Sequence, residues 1–312
     1  MRRSIGPVVL LLLALPSLAG AAQEFEKVGT IGGQFLKIGV GARATAMGSA
    51  FVSIADDASA IYWNPAGIAR VQKNVVSLNH TAWLADISFT QAAYVFHVGF
   101  FPGTFALNAR SLYMDSQPIR DVFHPEGTGK SFDAGDVAFG LTYARSLTDK
   151  FSTGISANYV QSTLASYSSS AYTFDFGTLY DTGYRSLKIG MAIQNLGSDM
   201  KFIEDTVKMP AVFRVGMSMN LYEDATHRLL SSAEFSHPPD NNERANWGIE
   251  YGFKEFFFVR AGYLFKYDLE KYSAGIGVKI PSSLNSEATI DYSYMDMSTL
   301  GGVHRVSVDF RF

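Results

Sequence analysis

The chain has 312 residues, no cysteine, a formal net charge of −3, and a composition that is 47% hydrophobic and 14% aromatic. The absence of cysteine excludes a disulfide scaffold and a lipid-anchored lipoprotein. The mild acidity argues against a nucleic-acid partner. So apolar and aromatic a chain either encloses a large β core or places apolar surface in lipid, and composition alone does not choose between these.

Residues 1–22 have the pattern of a secretory signal peptide. Arg2 and Arg3 form a short basic region, an apolar run covers residues 5–18, and small residues then lead to a predicted cleavage after Ala21 or Ala22. The apolar run is too short, and too interrupted by proline, to span a bilayer comfortably as a helix. We therefore expect an exported protein.

Residues 29–71 are rich in small residues and lack a strand pattern. Gly39, Gly41 and Ala44 match the spacing of a dinucleotide-binding fingerprint, but that chemistry needs a parallel βαβ unit. The pattern that follows predicts antiparallel hairpins, and free nicotinamide cofactor is not expected outside the cell. We predict no cofactor.

Two motifs in this segment predict local helical structure. Asp56 and Asp57 predict a helix start, because acidic side chains in a first turn satisfy free N–H groups and favour the helix dipole. The run from Asn64 to Gly67, which contains Pro65, predicts a tight turn or a short helical cap.

From about residue 73 onward the chain repeats one pattern: eight to twelve residues alternate between apolar and polar, and a polar or Gly/Pro break follows. An even number of strands of this length is typical of a bacterial membrane barrel. We predict fourteen strands, centred near Leu78, Tyr94, Leu107, Phe139, Ala157, Phe174, Ile189, Val215, Ala233, Ile249, Ala261, Ile276, Ile290 and Val308.

The two faces of these strands differ in a way that favours a barrel. The polar face consists mainly of Gly, Ser, Asn and isolated charges, which leave room for something inside a lumen. Aromatic residues near strand ends match the girdles at membrane interfaces. A soluble sandwich or a propeller is the alternative, although no blade-length repeat is present. The predicted girdle residues are Phe253, Phe256, Tyr263, Phe265, Tyr292 and Tyr294.

The last strand carries a predicted assembly signal. Val306, Val308, Phe310 and Phe312 fall on one face, and polar or charged residues alternate with them. This ending resembles the signal by which bacterial outer-membrane barrels are recognised for insertion by the barrel-assembly machinery. The alternative is an edge strand of a soluble sandwich.

Four runs in the N-terminal segment, 42–44, 46–50, 56–60 and 62–67, closely resemble the N-terminal signature of the PorV/PorQ family of outer-membrane proteins. These proteins are similar to the FadL long-chain fatty-acid transporters. The residues that carry the resemblance are Arg43, Met47, Gly48, Asp56, Asp57, Trp63, Asn64, Pro65 and Gly67.

The resemblance implies an all-β transmembrane antiparallel barrel of about fourteen strands, with an N-terminal hatch folded into or against the lumen. We therefore divide the chain into a signal peptide at 1–22, a hatch or plug segment at 23–72 and the barrel at 73–312. The resemblance also implies an association with type IX secretion, in which PorV itself shuttles cargo to the surface attachment machinery.

No catalytic or metal-binding pattern is found in the sequence. The six histidines, at positions 80, 97, 124, 227, 237 and 304, never reach metal-ligand spacing, and no serine sits in a nucleophile elbow. We predict a protein that is not an enzyme and has no catalytic or metal residues. Three polar-face arginines, Arg110, Arg214 and Arg260, are expected either to line the lumen or to pair with Asp175, Glu234 or Glu250, since unpaired buried charge is costly.

Two functions remain open at this point. The first is a component of type IX-like protein secretion or surface assembly, whose long segment from Asp115 to Asp136 binds a secretion protein or secreted cargo. The second is a FadL-like conduit for long-chain fatty acids or other hydrophobic molecules, gated by residues 32–67. Both require outer-membrane lipids as surroundings and the barrel-assembly machinery as a partner, and neither involves nucleic acid. The small, polar lumen face favours the first.

Deletion of Phe312 tests the assembly signal. Loss of the terminal aromatic should sharply reduce insertion into the outer membrane, because the proposed recognition pattern ends on this side chain. Insertion is measured by the heat-modifiable mobility of membrane fractions on gels. Normal heat modifiability of the truncated chain would contradict the assignment.

Overall fold

The computed structural model describes residues 31–202, 204–281 and 286–312. The predicted signal peptide and its cleavage site lie outside these residues. In the described part of the chain, no helix is both long enough and apolar enough to cross a membrane.

Fourteen antiparallel strands form a closed barrel, in which the first strand pairs with the last. The strands follow one another around the wall in chain order, so every wall contact is a hairpin except the one that closes the ring. They are β1 Val75–Ala82, β2 Ser88–His97, β3 Thr104–Tyr113, β4 Ala134–Ser146, β5 Phe151–Leu164, β6 Tyr167–Asp181, β7 Lys188–Gly197, β8 Val212–Glu223, β9 His227–His237, β10 Arg244–Phe253, β11 Phe257–Phe265, β12 Tyr272–Pro281, β13 Glu287–Asp296 and β14 Gly302–Arg311.

The fourteen-strand prediction is confirmed, and each predicted centre lies within its strand. The local alternation of apolar and polar residues was sufficient to predict the strands, because a strand places successive side chains on opposite faces whichever strand it pairs with. On β12, Ile276 points outward and is 49% exposed, whereas the flanking Gly275 and Gly277 point inward and are buried. The apolar residues thus face the exterior and the small residues face the lumen.

The barrel has two distinct ends. The connections 98–103, 147–150 and 224–226 lie at the end where the chain enters β1 and leaves β14, which we call the turn end. The two longest connections, 114–133 and 198–211, lie at the opposite end, which we call the loop end.

Residues 31–74 precede the barrel strands and contain only short helices. These are α1 Ala42–Ala46, α2 Ala60–Trp63 and two 3-10 helices, Gln34–Lys37 and Pro65–Arg70; two further 3-10 turns, Leu84–Asp86 and Ser298–Leu300, lie in loop-end connections. We call residues 31–72 the hatch segment. Its core residues, among them Met47, Phe51 and Trp63, are buried against the inner wall.

Inward-facing glycines let the hatch segment lie directly against the wall. A Cβ at Gly248 of β10 would overlap the carbonyl oxygen of Met47, and one at Gly262 of β11 would overlap the backbone of Gly48. Gly48 itself has a φ of 63°, a conformation that glycine adopts without strain. The polar, small-residue face of the strands therefore serves as a seat for another piece of backbone.

Paired substitutions on one strand test this seating. Gly248→Ala should destabilise the protein by about 1–3 kcal/mol, because the added methyl group meets hatch backbone that has no room to move. Gly252→Ala, on the same inward face of β10, meets the ring of Phe258 at 3.1 Å and Arg228 Cβ at 3.8 Å but no backbone, and it should be nearly neutral. Urea unfolding in detergent measures both, and equal losses would contradict a backbone seat at Gly248.

Candidate functional site

The Asn64–Pro65 motif starts a helical turn and ties it to the wall. The Asn64 side-chain oxygen accepts a hydrogen bond from Ala66 N at 3.1 Å, and Pro65 occupies the first helical position of the 3-10 helix. The Asn64 amide donates to the carbonyl oxygens of Val52, at 2.8 Å, and of Thr178 on β6, at 3.0 Å. The expected helical cap is thus present, and it also fastens the hatch segment to the barrel.

Gly67 and Trp63 explain two further motif positions. A Cβ at Gly67 would overlap the carbonyl oxygen of Ala55, so the 3-10 helix can cross that turn only with glycine there. Trp63 is buried, donates from Nε1 to the Val40 carbonyl oxygen at 2.8 Å and packs edge-on against Phe51. Both residues hold the hatch segment in its own fold.

The acidic pair before α2 has a different role from the one expected. The helix begins at Ala60 with no acidic residue in its first turn. Asp57 accepts hydrogen bonds from the backbone N and hydroxyl of Ser59, at 2.9 and 2.6 Å, just before the helix. Asp56 forms an ion pair with Arg43 instead of capping the helix. A largely buried guanidinium without a counter-charge costs more free energy than an uncapped one-turn helix.

Arg43 joins the hatch segment to an ion network on the wall. Its guanidinium lies 2.6 Å from Asp56, 3.1 Å from Asp57 and 2.9 Å from Glu250 of β10. Burial favours the neutral form of Asp56, but Arg43 outweighs it and holds the pKa of Asp56 below its usual value. The pair is therefore intact at neutral pH and is lost only as the pH falls through that lowered pKa.

Glu250 is the centre of this network. It accepts hydrogen bonds from Arg43 on the hatch segment, from Arg228 on β9 at 2.9 Å and from Arg260 on β11 at 2.6 Å. Arg260 also donates to Asp291 of β13 at 2.5 Å. One buried carboxylate thus links the hatch segment to two neighbouring strands.

The expected arginine pairs form in two of three cases. Arg260 pairs with Glu250, and Arg214 pairs with Glu234 at 2.7 Å. Arg110 is buried but makes no ion pair with Asp175; its guanidinium lies 5.9 Å from the centre of the Tyr62 ring. Asp175 instead accepts hydrogen bonds from Asn195 N and Asn158, so Arg110 is the one expected arginine that pairs with none of the three carboxylates.

Several wall residues that bind the hatch segment were missed in the sequence. Glu234 accepts hydrogen bonds from the backbone N of Phe51 and of Val52, both at 2.9 Å. Three inward-facing serines on consecutive strands also contact the hatch segment. In the sequence, only their position on the inward face of each strand could have indicated such a contact. The Ser273 hydroxyl accepts a hydrogen bond from Gly48 N and donates one to the Ala46 carbonyl oxygen. The Ser293 hydroxyl shares a hydrogen bond with the Thr45 hydroxyl. The Ser307 hydroxyl accepts a hydrogen bond from Ala42 N.

A turn-end cavity and a loop-end cavity lie in the lumen on opposite sides of the hatch segment. The turn-end cavity has a volume near 580 Å³ and is lined by charged residues, including Arg43, Asp56, Lys279 and Asp309. The loop-end cavity is much smaller, near 80 Å³. In the described residues, neither provides a continuous apolar passage through the barrel.

The connection 114–133 is a folded hairpin rather than an irregular loop. Gln117–Pro118 pairs with Ser131–Phe132, and Asp121 accepts hydrogen bonds from the backbone N of Phe123 and His124 at its tip. The His124 hydrogen bond lowers the pKa of Asp121. This ordered turn presents Val122 and Phe123 to solvent at 94% and 88% exposure.

The residues of the predicted assembly signal lie on the outer face of the last strand or at its end. Val306, Val308, Phe310 and Phe312 all point outward from β14 or its end. No cluster of three or more potential metal ligands exists among the described residues.

Replacing Glu250 tests the ion network. Glu250→Gln should cost about 3–5 kcal/mol of unfolding free energy, because it removes a buried counter-charge from Arg260, which is buried, and from Arg43 and Arg228, which are partly buried. Glu287→Gln is the matched control in the same cavity; Glu287 pairs with Lys279 and Arg311 but is more exposed, so the loss should stay below about 1 kcal/mol. Both are measured by urea unfolding in detergent, and similar losses would remove Glu250 from its central role.

The barrel is similar to outer-membrane channels of known structure. A TodX monoaromatic hydrocarbon channel mutant matches with a TM-score of 0.60 and 13% identity, over 88% of this chain and 98% of that one. The Ralstonia pickettii toluene transporter TbuX matches with a TM-score of 0.56 and 14% identity, over 88% and 97%. A Pseudomonas aeruginosa FadL homologue matches with a TM-score of 0.55 and 11% identity, over 87% and 98%.

At such low identity these likenesses show the fold alone. No curated protein matches the chain in sequence. The family model described as "Type IX secretion system protein PorV" matches residues 21–238, which is more than half of the chain, and the chain therefore belongs to the PorV family.

Proposed function

We propose that this protein is a non-enzymatic outer-membrane component of a type IX-like secretion or surface-assembly route, and that its loop end holds a protein partner. Membership of the PorV family carries the proposal, because the family is described by that secretion system. Short turns face the periplasm and longer loops face the exterior in bacterial barrels, so the loop end is the extracellular side.

The sequence signals complete the proposal. Residues 1–22 direct export and are removed, residues 23–72 form the hatch, and 73–312 form the barrel. The assembly machinery recognises the terminal pattern that ends at Phe312, and outer-membrane lipids surround the outward apolar side chains.

The filled lumen supports a role in which the barrel is a scaffold. The hatch segment lies against wall backbone at Gly248 and Gly262 and is tied down by Glu234 and Glu250. Removing it would break several buried hydrogen bonds and ion pairs at once, each with a desolvation cost. A molecule passing through the barrel would have to displace this segment.

The 114–133 hairpin is the part of the loop end best suited to bind a protein. Val122 and Phe123 stand adjacent on a turn that Asp121 keeps ordered, so their exposure carries little conformational entropy. Aromatic anchors of this kind dominate the energy of protein interfaces. The partner is a secretion-system protein or secreted cargo.

The alternative, a FadL-like conduit for hydrophobic molecules, has one observation in its favour. An apolar groove of about 760 Å³ runs along the outer wall over β1 to β6, with Leu78, Leu107 and Phe139 among its lining residues. The strand ladders from β1 to β5 nevertheless continue without a register shift, so no opening joins that groove to the lumen there. Charged luminal cavities also disfavour hydrocarbon passage.

Substitution at the hairpin tip tests the proposal. Val122→Ser combined with Phe123→Ser should reduce recovery of a co-purifying secretion partner by more than about tenfold, as expected for loss of an aromatic anchor. Deletion of residues 117–132 should abolish it, with the barrel still folded by heat modifiability. Leu300→Ser, an exposed apolar residue in another loop-end connection, is the matched control and should leave recovery unchanged.

Two outcomes would contradict the proposal. Unchanged partner recovery after the deletion would remove the hairpin from the interface. Faster uptake of a long-chain fatty acid by liposomes containing the protein than by empty liposomes, altered by Asn64→Ala, would favour the conduit instead.

A further inference from the structure

The loop-end cavity lies between the hatch segment and the extracellular rim. Trp63 and Lys37 of the hatch segment form its floor, and strand residues from β8 to β14 form its sides. Trp83 and Tyr267, in loop-end connections, border its mouth. Any ligand would therefore enter from the outside of the cell.

The lining of this cavity carries an excess of positive charge. Four cationic residues line it, Lys37, Arg214, Arg244 and Arg305, against one acidic residue, Glu270. Two of the four have counter-charges outside the lining: Lys37 pairs with Asp240 at 2.7 Å and Arg214 with Glu234 at 2.7 Å. Arg244 and Arg305 form no ion pair among the described residues.

Arg305 is the most informative of these residues. It is 3% exposed, and its Nε and Nη1 have no hydrogen-bond partner among the described residues. Buried guanidinium N–H groups without partners are costly, because they have lost their hydrogen bonds to water and gained none in return. The Nε of Arg244 is likewise buried without a partner.

Aromatic rings hold both guanidiniums in place. The guanidinium of Arg305 lies 5.6 Å from the centre of the Trp83 ring, and that of Arg244 lies 4.3 Å from the centre of the Tyr267 ring. Such contacts orient a guanidinium without consuming its N–H donors. The donors remain available to a ligand.

We propose that this cavity is a binding site for a carboxylate group, held by Arg305 with help from Arg244. Guanidinium donors form a planar fork that matches a carboxylate. A volume near 80 Å³ has room for a small group such as a carboxylate. The carboxylate comes either from a free small acid or from the end of a peptide chain.

The site contains its own reporter. The chain has three tryptophans, of which Trp63 and Trp83 line the cavity and Trp247 points outward from β10. A Trp247→Phe background therefore limits tryptophan fluorescence to the cavity. The full-length barrel in dodecyl maltoside is titrated with sodium acetate at constant ionic strength, with chloride as the replaced anion.

Acetate should change the fluorescence saturably, and Arg305→Gln should raise the acetate Kd at least tenfold. Arg305→Lys should give an intermediate effect, because it keeps the charge but loses the fork. Arg311→Gln is the matched control: it lies on the same inward face of β14 but lines the turn-end cavity, so acetate binding should not change. Heat modifiability confirms that each variant is folded.

N-acetyl-dialanine with a free carboxyl end, and its carboxamide, distinguish the two sources. Binding of the acid but not the amide supports chain-end recognition, whereas binding of acetate alone supports a free small acid. Absence of saturable acetate binding, or binding that Arg305→Gln leaves unchanged, would overturn the proposal. Neither result depends on whether the protein acts in secretion.

Discussion

The number of strands imposes the main constraint on this molecule. A ring of about eight strands has an interior that its own side chains just fill, whereas fourteen strands enclose considerably more space. That space must hold water, a ligand or another part of the chain. Here the hatch segment occupies the middle of the lumen, and the wall is built to receive it: glycine where backbone meets backbone, and serine or glutamate where a hatch N–H needs an acceptor.

The distribution of charge follows from the same arrangement. Filling the lumen removes water from the inward face, so charged side chains there need partners. Glu250 provides one for three arginines, and Glu234 serves both Arg214 and two hatch amides. Arg305 has no such counter-charge, and two of its buried nitrogen atoms have no hydrogen-bond partner among the described residues, whereas Arg110 and Arg244 each have one such nitrogen. The donors of Arg305 are therefore the ones that we assign to a ligand.

The fold is shared with channels for monoaromatic hydrocarbons, but a shared barrel does not imply a shared cargo. A closed wall of paired strands and an outward apolar surface are required of any β-barrel that spans a bilayer, because lipid cannot hydrogen-bond to an open strand edge. What differs between members is the content of the lumen and the shape of the loop end. In this chain the first is a tightly bound hatch segment with charged cavities, and the second includes an ordered hairpin with an apolar tip.

The sequence alone was sufficient to predict the fourteen strands, the direction in which each side chain points and the helical cap at Asn64, because these depend on residues close together in the chain. The sequence also predicted that the small inward-facing residues, glycine and serine, leave space inside the lumen. Only the tertiary structure decided what they meet. Arg43 and Glu250 are 207 positions apart, and Ala42 and Ser307 are 265 apart, so no local pattern connects them. The missing ion pair of Arg110 has the same origin. Asp175 accepts hydrogen bonds from Asn158 and from Asn195 N, and Asn195 lies where a bulge between β6 and β7 shifts the register. Periodicity determines which way a side chain points, whereas its partner depends on how the closed wall and the hatch segment fit together.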